Sequence, residues 1–331
     1  MKPEGYKGKL LAVILGSLLS TTLVSSLWSQ SDYPTKPINL LISFAPGGVM
    51  DISTRAIAAK AEKFLGQPFV ISNNGAGGST VAAGIIAKQK PDGYNLLSCT
   101  TTTLIRIPQY RSVPYSHDDF VPIMQHASTE SGLAVRADSP FKTLKDLIDF
   151  AKKNPGKVTY STLGVGSPMH LSMEYIAKQE GITWTHVPYP GSMPSVTALL
   201  GGHVTATSAS TEWKPFVLEG RLRLLATHGE KRMKTFPNIP TLKELGYDFY
   251  NDTTFVVVAP KGTPMPIVKK LEDAFHKAFG DQEYLDTLAR IDHVPAFRNS
   301  EETRKFLEVA YVVNGKWIAE LKIPKEVDQR K

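Results

Sequence analysis

Ser167 and His170 stand three residues apart where a helical pattern begins, a pairing from which a base could activate a hydroxyl nucleophile. No G-x-S-x-G elbow surrounds them, and no third residue can be picked out to orient the imidazole, so a hydrolase is the weaker reading. His170 and Glu174 share a helix face at i and i+4 and could both touch a metal, but two ligands do not make a site. A hydrogen-bonded histidine in a cleft accounts for the same spacing. The glycine run at 75–78 lacks the Lys-Ser/Thr of a P-loop and the spacing of a dinucleotide fingerprint. What remains is chemistry that backbone N–H groups can do.

The stretch LISFAPGGVMD at 41–51 is suited to that chemistry. Leu40, Ile42 and Phe44 alternate with Leu41 and Ser43, and Pro46, Gly47 and Gly48 end the run, which reads as a buried strand. Beyond it Ile57, Ala61, Phe64 and Leu65 recur at the helical period. A strand, a glycine turn and a helix leave free N–H groups at the positive end of the helix dipole, where a carboxylate or phosphate can dock. Gly48 is expected to take a positive φ and to let the anion lie against the backbone. Asp51, in the first helical turn, complements the dipole and can pair with Arg55 at i+4. Any strand-to-helix connection could use the same Gly-Gly, so this turn alone does not establish a site.

The rest of the chain repeats the unit. Strands are expected at 68–72 and 95–99, a second glycine turn and helix at 73–88, and hydroxyls at Thr100, Thr101, Thr102 and Thr103 where the third strand ends facing a crevice. Threonine runs are also common in β structure. A strand at 132–136 and a helix capped by Thr143, with Asp146 at its third position, lead into a second series. That series has strands at 158–161, 183–187, 204–208 and 222–227, with turns at 163–168 and 189–192. After a strand at 255–259 the pattern is helical to Ile323, interrupted at 281–284 and 295–300. Phe44, Trp184, Tyr189 and Trp213 read first as core.

A chain of 331 residues with 42% hydrophobic and 21% charged residues has room for two domains and is not disordered. Residues 1–30 place Lys2, Lys7 and Lys9 before a short apolar run, which reads as a secretory signal peptide with a mature start between about Leu27 and Asp32. A retained anchor is the alternative. The net charge is +7, of which the first thirty residues hold +2, and the scattered basic residues exclude a nucleic-acid stripe. Cys99 is the only cysteine, so no internal disulfide exists.

An ordered series of motifs carries a resemblance over nearly the whole mature chain: YPTKPINLLISFAPGGVMD, LGQPFVISNNGAGGST, KPDGYNLL, YSTLGVGSPMHL, HVPYPGSMPSVTALLGGHV, RLLATHGEKR, FPNIPTLKELGY and APKGTP. The chain resembles the extracytoplasmic solute receptors of the tripartite tricarboxylate transporter family, the Bug or TctC type. The resemblance implies an α/β, type II periplasmic binding protein fold, with two doubly wound lobes, a hinge and a central ligand cleft. Lobe 1 would take residues 33–132 and 254–331, and lobe 2 residues 133–253, joined near 131–134 and 252–256. It implies a periplasmic, non-enzymatic and monomeric receptor for a small carboxylate (di-, tri- or aromatic), with no cofactor or metal, which delivers to membrane transporter subunits. A receptor that presents its ligand to a sensor would have the same cleft. In the family the carboxylate is gripped by amides and ordered water between facing turns. Those turns map to Phe44, Ala45, Pro46, Gly47 and Gly48, with Asp51, and to Ser161, Thr162, Gly166, Ser167 and His170. Gly77, Gly78, Tyr189 and Gly191 match the other cleft turns, and Thr101 and Thr102 stand at the third strand's end. Thr100–Thr103 and Asn73-Asn74 depart from the family's usual residues, so the far end of the ligand is not specified.

Overall fold

A computed structural model describes residues 32–250, 253–323 and 325; the expected signal peptide lies outside them. The first series comprises β1 (Ile38–Ile42), α1 (Val49–Leu65), β2 (Phe69–Asn73), α2 (Thr80–Ile86) and β3 (Asn95–Thr100). A π-helical turn (Thr102–Arg106) then runs into α3 (Ile107–Tyr110), and β4 (Phe120–Thr129) follows. The second series is β5 (Ser131–Arg136), α4 (Leu144–Lys153), β6 (Thr159–Thr162), α5 (Pro168–Glu180), β7 (Thr185–Pro188), α6 (Ser192–Leu200), β8 (Ala206–Ser210), α7 (Lys214–Leu218) and β9 (Leu222–Thr227). The chain returns as β10 (Thr254–Pro260), α8 (Met265–Phe279), α9 (Gln282–Arg290), β11 (His293–Arg298) and α10 (Ser300–Glu320).

Two sheets result, ordered β11-β4-β10-β3-β1-β2 and β7-β6-β8-β5-β9. β1 pairs in parallel with both β2 and β3, with Ile38, Leu40 and Ile42 buried on one face and, on the other, Asn39 exposed and Leu41 partly buried. Ile38, Leu40 and Ile42 pack against Ile57, Ala61 and Leu65 of α1. Leu41, Leu97 and Cys99 face the opposite layer with α2 and α10. Thr143 and Asp146 close the expected capping box of α4.

The chain passes between sheets at Glu130, where β4 becomes β5, and again just before Thr254. The two crossings lie side by side: the Thr129 amide donates to Thr253 O at 2.8 Å, and the Thr129 hydroxyl to the same oxygen at 3.2 Å. The expected second crossing at 252–256 begins at Asp252, outside the described residues.

Three expectations need correction. Residues 120–129 form a ten-residue strand that the apolar pattern conceals, because buried Gln125 and His126 break the run. Gln125 Nε2 bonds Ala296 O and His126 Nδ1 bonds the Tyr284 hydroxyl, while His126 Nε2 is buried without a hydrogen-bond partner. The interruption over 295–300 is the edge strand β11, where Pro295 is tolerated, and that over 281–284 shrinks to Asp281, the N-cap of α9. Finally, α10 does not stay with the first lobe. Trp317, Ile318 and Ile323 belong to the second lobe's core, with Trp317 stacked on Phe249 at 4.2 Å between centroids.

Candidate functional site

β1 and β2 run at their carboxyl ends into the turns before α1 and α2, and β6 and β7 into the turns before α5 and α6. In the first lobe Ala45 to Val49 are all exposed, and α1 starts at Gly48 with no side-chain cap. Its first-turn N–H groups are therefore left for a ligand or water. The positive φ belongs to Gly47, at 77°, while Gly48 is extended, at −77° and 168°, which corrects the expectation for Gly48.

Asp51 is a brace for this turn. One carboxylate oxygen accepts from the Gly47 amide at 2.9 Å; the other accepts from Arg55 Nε at 2.7 Å and Asn73 Nδ2 at 2.9 Å. Burial alone would raise its pKa, but the Gly47 amide, Asn73 and Arg55 together hold it below the usual carboxylate range. Asn73 also donates to Phe44 O at 3.1 Å, which ties the end of β2 to the turn. Gly75 lies so close that an added Cβ would sit 3.1 Å from Ala45 N, a tight backbone approach that favours glycine. Gly77 O accepts from Arg111 Nη1 at 3.0 Å, and Gly78 lies beside the same guanidinium.

The threonines are mostly turned inward. Thr101 is buried, and its hydroxyl accepts from the Thr254 amide at 3.3 Å, at the crossing. Thr103 bonds Ser79 at 2.7 Å. Thr102, half-buried, accepts from Arg106 Nη1 at 3.0 Å. Arg106 is itself buried and bonded to Asn314 at 2.8 Å, and burial lowers its pKa to about 10, so it stays charged at neutral pH. Arg106 and Arg111 thus place positive charge behind the first-lobe turns. Sequence reasoning passed over both because they lie beyond the turns themselves.

The second-lobe turn is held from below by a ring stack. Tyr160 lies 4.9 Å from His186, and His186 lies 4.2 Å from His170, between centroids. The Gly166 amide donates to His170 Nδ1 at 3.2 Å, the Gly164 amide donates to Thr162 Oγ1 at 3.1 Å, and His186 Nε2 meets that hydroxyl at 2.7 Å. Burial pushes both imidazole pKa values down to about 4, for His170 with help from His186, so both are neutral at pH 7. A neutral His170 accepting at Nδ1 carries its proton on Nε2. Its ring therefore braces the turn, and Glu174 accepts from the Tyr160 hydroxyl. Among the described residues no three His, Cys, Asp or Glu side chains gather to hold a metal. His186 went unnoticed in the sequence because only the β6–β7 register, Tyr160 opposite His186, brings it under the turn.

Ser167 is buried and caps α5, its hydroxyl oxygen accepting from the His170 amide at 3.2 Å. Ser161 is placed differently. Alternation along β6 sends its hydroxyl into a buried network with Ser195 O at 3.0 Å and Thr207 at 2.9 Å, away from the cleft. Tyr189 is half-buried and its amide donates to Thr162 O at 3.0 Å, and Gly191, at φ 127°, starts α6 with no side-chain cap. The lobes touch at Gly166, where an added Cβ would lie 3.0 Å from the Tyr110 ring of α3. Trp184 and Trp213 are core, as expected.

Removing the Ser167 hydroxyl separates its two roles. Ser167→Ala should lower stability by about 0.5–2 kcal/mol, whereas Ser167→Gly should lower it by only a few tenths, because glycine is a tolerable N-cap. Both should weaken binding of a charged ligand by about 1–3 kcal/mol. Calorimetric titration with parallel unfolding curves measures this; equal affinity of both variants and wild type would remove Ser167 from the site.

Comparison with known proteins agrees with this architecture. The model of the tripartite tricarboxylate transporter family receptor matches residues 53–323. A UPF0065 protein from the gbd 5′ region of Cupriavidus necator is 41% identical over 286 residues, 84% of this chain and 85% of that one. Among solved structures, a TctC solute-binding protein from Polaromonas superimposes with a TM-score of 0.80 at 29% identity, covering 87% of this chain and 99% of the other. R. palustris Rpa4515, solved with adipate, gives 0.72 at 30% identity, covering 88% and 99%. These neighbours are ligand-binding receptors and share the two-lobed α/β fold. With the family model spanning most of the chain, the protein belongs to the tripartite tricarboxylate transporter family receptors, the TctC family.

Proposed function

We propose that the protein is exported, captures a small carboxylate in the cleft as a monomer, and delivers it to the membrane subunits of a tripartite tricarboxylate transporter. The observation that carries this reading is the exposed, uncapped start of α1 at Gly48, whose free first-turn amides can take an anion, and the approach of Gly166 to the Tyr110 ring, which brings the second-lobe turn beside the first lobe, supports a site between the two. A helix terminus contributes up to about 2 kcal/mol to an anion in a partly buried site. A micromolar ligand needs about 8 kcal/mol, so hydrogen bonds of about 1.5–3 kcal/mol each from both lobes must supply the rest. Binding is therefore coupled to lobe closure about the paired crossings. Val49, Val165 and Met193, exposed beside the turns, favour a ligand with an apolar stretch between its polar ends. The adipate held by the R. palustris neighbour has that character.

A thermal-shift panel of mono-, di- and tricarboxylates, aliphatic and aromatic, is the test. A ligand at a hundred times its Kd should stabilise the protein by about 2.7 kcal/mol, a rise of several degrees in Tm, and its methyl esters should not. X-ray scattering at saturation should show a smaller radius of gyration. A panel with no shift, or a shift equal for acids and esters, defeats the proposal.

A further inference from the structure

The crossing strands separate two spaces between the lobes. On one side lies the ligand cleft proposed above, built on the turns that follow β1, β2, β6 and β7. On the other side, where β11 is the edge of its sheet, a groove of about 620 Å³ is lined by β11 and the segment 229–235 that follows β9, by the crossing residue Glu130, by Lys214 and by Asp292. Lys214 begins α7 in the second lobe, and Asp292 stands in the first lobe between α9 and β11. Their side chains form an ion pair across this rear groove. Asp292 holds its place with φ at 54°, a conformation that Asp and Asn tolerate better than most residues. Half-buried Glu130 faces the same pair: burial raises its pKa, with Lys214 opposing the shift and Asp292 adding to it.

A rotation about the crossings that closes the cleft opens the space on their far side. We propose that the Lys214–Asp292 pair is a latch that holds the lobes apart at the cleft and so lowers ligand affinity from outside the site. Each binding event breaks or stretches the pair, and the apparent affinity is reduced by the fraction of molecules that are latched. Removing the latch therefore raises affinity, the opposite of what loss of a merely structural ion pair would do.

The affinity arm rests on the carboxylate reading above; a distance arm does not. Spin labels at Val70→Cys and Thr185→Cys, exposed positions on the cleft-side strands β2 and β7, report lobe separation in the unliganded protein, and buried Cys99 stays unlabelled. In Lys214→Met and in Asp292→Asn the label distance should shorten toward that of liganded wild type. Asp292→Asn guards against Lys231 or Lys234, also on the groove, taking over from Lys214. Affinity for the carboxylate selected by the thermal-shift panel should rise about two- to fivefold, the range expected for a partly exposed pair, and the difference should vanish near 1 M salt. If the panel yields no ligand, the distances still decide. Distances unchanged in both variants, or affinity unchanged or weaker, overturn the latch.

Discussion

Gly48→Val is expected to fold like wild type and to lose carboxylate binding by about a hundredfold or more. At −77° and 168° any L-residue is comfortable, and an added Cβ meets only Ala45 O at an ordinary 3.5 Å. The folding cost is that of a poor N-cap, about 1 kcal/mol. The valine methyls, however, occupy the space in which ligand oxygens must approach the free amides of α1. Two charge-assisted hydrogen bonds of about 1.5–3 kcal/mol each are at stake. Gly47→Val is the contrasting variant: its φ of 77° makes the backbone strained while nothing lies within 4 Å of the new Cβ, so it should lose stability by about 1–2 kcal/mol. Calorimetry with unfolding curves distinguishes them, and a folded Gly48→Val protein that binds normally would show that the anion is not held at α1.

Asp51→Ala is the second large effect, and it should fall on stability and binding together. The change leaves the exposed Gly47 amide without its acceptor and the half-buried Asn73 Nδ2 with Phe44 O alone, at about 1 kcal/mol, the lower end of the cost of lost bonds because water can reach the turn. Arg55 adds little, since its side chain is 44% exposed and can turn to water. The freed turn then presents its amides in many orientations, and affinity should drop by about tenfold or more, in line with 1.4 kcal/mol per decade. The pH dependence has a definite sign. The folded pKa lies below the unfolded value of about 3.9, so the contribution of Asp51 is complete above that value and disappears as pH falls through the lowered folded pKa. Unfolding curves from pH 7 to pH 3 should show wild type and Asp51→Asn converging only at the acid end. A constant gap across that range would mean that the carboxylate charge does not brace the turn.

The sequence by itself determined the alternation of strands and helices, the two glycine turns, the capping box at Thr143 and the pairing of Asp51 with Arg55. Each of these depends on residues within a turn or two of one another, so periodicity and spacing carry the information. The order of the motifs was enough to identify the family, because many weak matches in register multiply.

Tertiary structure decided the rest, since it joins residues that are distant in the chain. β4 and β11 escaped notice because their polar residues are engaged by one another and by α9, through partners up to 173 positions away, as in Arg298 to Gln125 and His126 to Tyr284. The roles of Ser161 and Thr101 reversed for the same reason: the face each presents is set by the β6 and β10 registers and by helices packed above. His186 becomes a brace only because β6 and β7 stack it between Tyr160 and His170. The rear ion pair links positions 214 and 292, which no local pattern connects. Local spacing specifies where a turn and its amides will be; which side chains tighten that turn, and which angle the lobes keep, follows only from how the two sheets pack around their shared crossing.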